Sequence, residues 1–440
     1  MPPSNKSVLQ RVDGITMLLY MALVVIGLLA VFSVEYRSTD PTIFLANKSH
    51  MKQATWLVIS LFVGLIILLT DSKFFASFAF LFYTIGIVLL LVTIVAGKDV
   101  KGSHSWLGVG AVQFQPGEVC KIFTSLALAK FFSLPEVNFK TLKHRIIGAA
   151  FALLPCACII MQNETGLALV YFSFFLMMYR EGLPSGILIA AFSMAALTVG
   201  ALIVAPKTLL IIIIILAVLI GLMIKRGLRK DGATRLIYIG SIVVAIGFSQ
   251  FAVPFVFKNV LQGYQIERIY SMLGQDVPED YVKKAEDAPA GPKKDTDYNV
   301  RQSKIAIGSG GLLGKGFLNG TSTKNDFVPE QNTDFIFCSI GEQFGFIGSA
   351  ILIILYITMM LRIVHLAERQ RSDFSRVYAY CVASILFFHF AINISMTIGL
   401  APVIGITLPF LSYGGSSLLS FSVLMFILLR LDADRAVVIR

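Results

Sequence analysis

The sequence predicts an all-α polytopic integral membrane protein with about 10–12 transmembrane helices and one large extracytoplasmic loop. Three observations carry this. Hydrophobic residues make up 56% of the 440 positions and charged residues only 14%, where soluble domains carry roughly a quarter charged. The mean hydropathy is +0.78. Apolar runs recur along the whole chain, near 14–34, 54–70, 74–96, 117–133, 146–162, 165–179, 184–204, 208–224, 236–257, 335–361, 377–398 and 411–430, and about 20 such residues cross a bilayer. The first run follows Lys6 and Arg11 and is too long for a signal-peptide core, so it reads as a retained span.

The formal net charge of +11 is a topology signal rather than a nucleic-acid surface. With the N-terminus inside, about 19 Lys and Arg fall on short inside segments and about 6 on short outside loops, as the positive-inside rule favours. The inside groups include Lys140, Lys143 and Arg145, then Lys225, Arg226, Arg229, Lys230 and Arg235, then Arg362, Arg369, Arg371 and Arg376. Both termini are therefore expected in the cytoplasm. The chain divides into membrane helices at 1–257, an extracytoplasmic loop at 258–333, and membrane helices at 334–440. The polar, proline-containing stretch near 275–297 is expected to be a mobile insert. Five cysteines at 120, 156, 158, 338 and 381 are odd in number and lack a framework spacing, so no disulfides are expected. Cys156 and Cys158 would point apart on a helix, which argues against a metal site there.

Ionisable groups inside spans are costly and mark function by default. Glu118 and Lys121, in FQPGEVCK, are i, i+3 neighbours that can pair, either as a structural ion pair or as part of a substrate cavity. Gln115-Pro116 reads as the start of that helix. Upstream, KGSHSWLGVG carries Trp106, an interfacial anchor or a site residue. Glu164, in QNETG, falls at an outside turn where a helix cap is the plain reading.

The Gly-rich stretch YNVRQSKIAIGSGGLLGKG contains Arg301, Gln302, Ser303, Lys304 and Lys315. It fails the strict phosphate-loop pattern, yet flexible N–H groups plus Lys could hold a pyrophosphate. The other reading is a tight turn over the bundle. GLAPVIGITLPFLSYGGSS, with Ser412, Tyr413 and Ser416, breaks helix between the last two spans, and such backbone is tolerated at membrane depth where it lines a cavity. Asn393 lies in the span before it.

VPEQNTDFIFCSIGEQFG holds Glu330 near the surface, Asp334 at the membrane boundary and Glu342 within the run. Asp334 is a candidate N-cap. Counted on a helix, Asp334 and Glu342 are eight apart, on one face and about 12 Å apart along the axis. With Cys338, Gly341 and Gly345 the face is narrow and could front a cavity. A partly desolvated carboxylate there would have a raised pKa, the condition of a general base.

Taken together these motifs resemble the SEDS family of bacterial cell-wall polymerases. The resemblance is carried by FQPGEVCK, RQSKIAIGSGGLLGKG, PEQNTDFIF and NISMTIGLAPVIGITLPFLSYGGSS, and covers most of the chain. The wording of GLAPVIGITLPFLSYGG and of YNVRQSKIAIGSGG is more like the elongation type, RodA, than the division type, FtsW or SpoVE. The resemblance implies a peptidoglycan glycosyltransferase acting on lipid II, with Asp334 at the family's essential Asp as proposed general base. Glu118 and Lys121 match its paired charges. It implies a class B penicillin-binding protein and elongation-complex proteins as partners in the bacterial cytoplasmic membrane. Basic side chains or a divalent cation, magnesium or manganese with no ligands assigned, would stabilise the leaving pyrophosphate. Three departures stand out: Gly117 for the usual Ser, His104-Ser105 where basic residues are usual, and Glu164 at an Asp position. A lipid-precursor flippase or transporter would also use charges in spans and broken helices. A scaffold that only activates its partner is the third reading.

Overall fold

The computed structural model describes residues 8–37, 48–100, 103–109, 112–259 and 296–436, with isolated positions 261, 263, 266, 270 and 278. The insert near 275–297 lies outside the described residues apart from 278 and 296–297. In chain order the main helices are α1 (Gly14–Glu35), α2 (Ser49–Leu69), α3 (Ala79–Ala96), α4 (Pro116–Phe132), α5 (Leu142–Met161) and α6 (Thr165–Arg180). They continue as α7 (Ser185–Ile203), α8 (Pro206–Met223), α9 (Thr234–Asn259), α10 (Thr296–Ser309), α11 (Ile336–Glu368), α12 (Asp373–Thr397) and α13 (Gly415–Ala433). Among the described residues ten of these are long and apolar enough to cross a membrane. The 17-residue α4 and the segmented α6 account for the other two apolar runs of the sequence.

Prolines and glycines place the breaks. Pro116 opens α4, where its missing N–H costs nothing. Pro254, inside α9, follows a π turn at Phe248–Ala252, where the Val253 N–H donates to Phe248 O. One element departs from the all-helical expectation. A small antiparallel sheet of β1 (Lys98–Val100), β2 (Ser103–Val109) and β3 (Val112–Phe114) sits between α3 and α4. Lys98 pairs with Trp106, and Leu107 with Phe114. A glycine-punctuated segment this short cannot build a helix of useful length, and a hairpin satisfies its N–H groups internally.

The chain forms two compact units, one of residues 1–183 with 299–440 and the other of 184–298. In the first, α13 packs along α2, α3 on α4, and α12 on both α11 and α4. Small residues allow this closeness, as bilayer helices require. Gly27 faces the backbone of Phe410 and Leu411, and Gly64 faces the Phe426 ring. The second unit has its own small cluster of Val253, Phe257, Ile266 and Tyr270, while no side chain of α7 is buried, as suits a lipid-facing span.

At one end of the first unit Asp13 caps α1 and ties it to α11. Its carboxylate accepts from the Thr16 N–H at 3.0 Å, the Thr16 hydroxyl at 2.7 Å and the Arg362 guanidinium at 2.5 and 3.1 Å. Arg369 bridges Asp13 to Asp432 of α13. Burial would raise the Asp13 pKa, but the Arg362 and Thr16 hydrogen bonds outweigh it and hold the carboxyl well below its usual range. An unfolded Asp titrates near about 4. The Asp13 contribution is thus complete above about pH 4 and is lost as pH falls through the depressed folded value. Asp13→Asn is expected to lower the thermal midpoint at pH 7 and to flatten its decline on acidification below pH 4, read by unfolding in detergent across that range.

Candidate functional site

The site is organised by the break between α12 and α13. Gly399 ends α12 with φ +77°, and residues 402–408 run without helix before the chain turns into α13. This segment and α12 together hold the entry to α11 at three consecutive carbonyls. The Tyr413 N–H donates to Asn332 O at 2.8 Å, the Ser412 hydroxyl to Thr333 O at 2.6 Å, and Asn393 Nδ2 to Asp334 O at 2.8 Å. Asn393 Nδ2 also donates to Ile406 O at 2.7 Å, and the Leu408 N–H donates to Ser412 Oγ at 2.8 Å. Gln53 of α2 holds the far side, donating to Ser412 O and accepting from the Gly414 N–H, both at 3.2 Å. Backbone groups left unpaired by a broken helix are thus met mainly by the side chains of Asn393, Ser412 and Gln53, the kind of compensation that permits such a segment at membrane depth.

Asp334 sits half-buried in this frame. A Cβ on Gly405, whose φ is +71°, would lie 3.5 Å from Asp334 Oδ2. The carboxylate thus rests over a position where the left-handed backbone favours glycine. Asp334 is not the cap of α11: the cap position is Phe335 and no side chain caps there. The helix-face count from Asp334 to Glu342 therefore does not apply, because Asp334 lies in the turn before α11, which begins at Ile336.

Nor does Glu342 front a cavity. It is fully buried, and the preceding loop closes over it. Its Oε1 accepts from Lys315 Nζ and the Ser322 N–H at 2.8 Å and from Thr321 Oγ1 at 3.2 Å; its Oε2 accepts from the Thr323 N–H at 2.9 Å and its hydroxyl at 2.6 Å. Gln331 Nε2 donates to Thr323 O at 2.9 Å, so the loop held by Glu342 continues directly into the stretch that carries Asp334. The Gly-rich loop is the tight turn rather than a phosphate nest. The Lys315 and Gly316 N–H groups donate to Glu342 O and Gln343 O, and Gly311 O and Leu312 O accept from Phe346 and Ile347 across the break at Gly345. Lys315 is engaged with Glu342.

A second polar cluster lies in the helix core. Lys121 is fully buried, and its ammonium meets Glu118 Oε2 at 2.5 Å, His389 Nε2 at 3.5 Å and the Phe421 ring at 3.8 Å from the centroid. Three donors thus face a carboxylate, a lone pair and a π face. Losing one partner would leave a buried donor unmet at about 1–3 kcal/mol.

A third cluster faces the small sheet. Glu164 stands at the start of α6 but its side chain does not cap it. Its Oε1 accepts from Ser103 and Ser105 at 2.7 Å and from Gln115 Nε2 at 3.3 Å. Gly166, two residues on, has Ile404 O where a Cβ would go, so this cluster abuts the segment under Asp334. Trp106, on β2, is half-buried.

Of the remaining candidates, Ser303 is buried and donates to Thr397 O at 2.9 Å. Gln302 is half-buried, and Arg301 and Lys304 are exposed on α10, with Lys304 lying against Gly399. Glu330 turns with φ +55°, and Ser416 is half-buried in the first turn of α13. Ser103 and His389 were not singled out in the sequence, and Ser105 only as a departure from the family pattern. For His389 the signal was available: a polar residue one turn from Asn393 in an otherwise apolar run.

The model of the cell cycle protein family FtsW, RodA and SpoVE matches residues 14–212 and 192–436. The chain belongs to this family. Among curated FtsW/RodA/SpoVE relatives, the peptidoglycan glycosyltransferase RodA of Treponema pallidum is 29% identical, covering 96% of this chain and 97% of that protein. The peptidoglycan glycosyltransferase MrdB of Escherichia coli K12 is 29% identical over 95% and 93%, and the stage V sporulation protein E of Bacillus subtilis 29% over 92% and 93%. Among solved structures, the Thermus thermophilus rod shape determining protein RodA superposes with a TM-score of 0.59 at 20% identity, covering 96% of this chain and 97% of that one. A chain from work on polymerisation and crosslinking by a peptidoglycan synthase complex gives 0.65 at 22%, over 96% and 98%. These two show that the polytopic helical fold is shared.

Proposed function

We propose that this chain is a peptidoglycan glycosyltransferase of the elongation type, polymerising lipid II into glycan strands, with Asp334 as general base. The observation that carries the reading is the triple hold on Asn332, Thr333 and Asp334, which supports one carboxylate over Gly405. The names of the full-length relatives, two of them peptidoglycan glycosyltransferases, support the activity.

In this reading the Asp334 carboxylate takes the proton of the attacking sugar 4-hydroxyl. That oxygen bonds to the anomeric carbon of the second sugar, and the anomeric carbon–phosphate oxygen bond breaks. Undecaprenyl pyrophosphate departs with the bonding electrons, a leaving group that needs no second carboxylic acid. Arg301 and Lys304 are the basic side chains offered to the pyrophosphate. Among the described residues no group of three His, Cys, Asp or Glu is gathered for a metal ion. Magnesium or manganese, bound with the pyrophosphate oxygens, would supply charge neutralisation to the leaving group. The basic clusters near 140–145, 225–235 and 362–376 favour cytoplasmic termini and an extracytoplasmic site. A class B penicillin-binding protein would then crosslink the strand.

The test is glycan synthesis from purified lipid II by the full chain in detergent or vesicles, with and without the transpeptidase partner and a divalent cation. Polymer is expected. Translocation of lipid II in vesicles without any polymer would overturn the reading in favour of a flippase.

A further inference from the structure

We propose that His389 is a positioning residue of the transfer site, carrying the placement of the buried Glu118–Lys121 pair to the broken segment beneath Asp334. The proposal rests on the reading of Asp334 as the base. His389 is buried in α12, and both of its ring nitrogens are engaged by different parts of the fold. Nε2 lies 3.5 Å from Lys121 Nζ on α4, and Nδ1 lies 3.1 Å from Thr407 O on the broken segment. A carbonyl only accepts and an ammonium only donates, so the ring is the neutral tautomer with its proton on Nδ1. That tautomer is the one arrangement of a neutral ring that serves both partners at once.

The geometry then continues toward Asp334. Thr407 follows Ile406, whose carbonyl accepts from Asn393 Nδ2, and the same amide donates to Asp334 O. His389 and Asn393 are one helical turn apart, so a single face of α12 sets both the segment under Asp334 and the backbone of Asp334 itself. Phe421 of α13 fixes the ring's plane, meeting it edge-on at 4.8 Å while also covering Lys121. Thr407 Oγ1 lies 3.1 Å from Ser417 Oγ, which anchors the segment to the start of α13. Any buried imidazole needs partners for its nitrogens; what is particular to His389 is that they lie on two different elements, α4 and the broken segment.

The two arms can be cut separately. In His389→Asn the amide N–H takes the place of Nδ1–H and keeps Thr407 O, but it cannot reach Lys121. In His389→Gln the amide oxygen takes the place of Nε2 and keeps Lys121, but the donor to Thr407 is gone. Lys121→Arg retains the charge beside Glu118 while displacing the contact to Nε2. Each folded variant is expected to lose about tenfold to a hundredfold in the kcat of glycan synthesis, with KM within about twofold, as a misplaced reacting group would. Because His389→Asn and Lys121→Arg cut the same link, their combination is expected to be no worse than the weaker single variant by more than about twofold. Amide exchange across 404–412 is expected to rise about tenfold in His389→Gln. Wild-type kcat in either His389 variant, or losses that multiply on adding Lys121→Arg, would overturn the proposal. If the folded wild type makes no polymer, the reading of Asp334 fails on its own; unchanged exchange across 404–412 in His389→Gln then rejects the link, and faster exchange upholds it.

Discussion

Asp334→Asn is expected to reduce glycan synthesis from lipid II by about a hundredfold to ten-thousandfold, the usual contribution of a general base, while the folded protein survives. The reasoning separates the two jobs done at this position. The structural holds on 332–334 are made through main-chain carbonyls, by Tyr413, Ser412 and Asn393, and an asparagine leaves them in place. What it removes is the proton acceptor over Gly405. Activity should therefore fall in kcat, with KM and the thermal midpoint close to wild type. The assay is polymer formation by purified wild type and variant, each with the crosslinking partner. Equal polymer from both would return Asp334 to a structural role and leave the scaffold reading in place.

How much of this was legible in the sequence depends on which physical signal carried it. The spans were legible because the length of an apolar run maps onto bilayer thickness, and each of the twelve runs holds a helix. The broken segment was legible because Pro402, Pro409 and the glycines around them cannot continue a helix. The strands before α4 were not, since their pairing depends on turns only a few residues long. The role of Glu342 was misread because a periodic count assumes that both carboxylates lie on the helix, whereas α11 starts after Asp334. Lys315 looked like a phosphate ligand because nothing local in GLLGKG says that a buried carboxylate 27 residues later accepts from its ammonium. His389 carried a usable signal, but a lone histidine in an apolar run is most often a satisfied core residue, and its two partners lie on other elements.

The two carboxylates of QNTDFIFCSIGEQFG thus do different work, and this leads to the second large effect. Glu342→Gln is expected to free the loop 315–324 and with it the path into Asp334. Each Glu342 oxygen accepts from at least two donors, and an amide can offer only one oxygen to them. Whichever way it turns, its NH2 faces donors, and Lys315 loses its counter-charge. Lys315 is partly exposed and its charge stays hydrated, so the cost is that of the buried donors left unmet, about 1–3 kcal/mol each, here concentrated in one loop rather than spread over the bundle. Limited proteolysis should cut the variant between 315 and 326 under conditions that leave the wild type whole. Polymer synthesis should fall with it, because Gln331 links Thr323 to the stretch carrying Asp334. Glu342→Gln should also differ from Asp334→Asn in kind: the loop becomes cleavable in the first and stays protected in the second. A Glu342→Gln protein as protease-resistant and active as wild type would mean that the loop is held by its main-chain bonds to Glu342 O and Gln343 O alone.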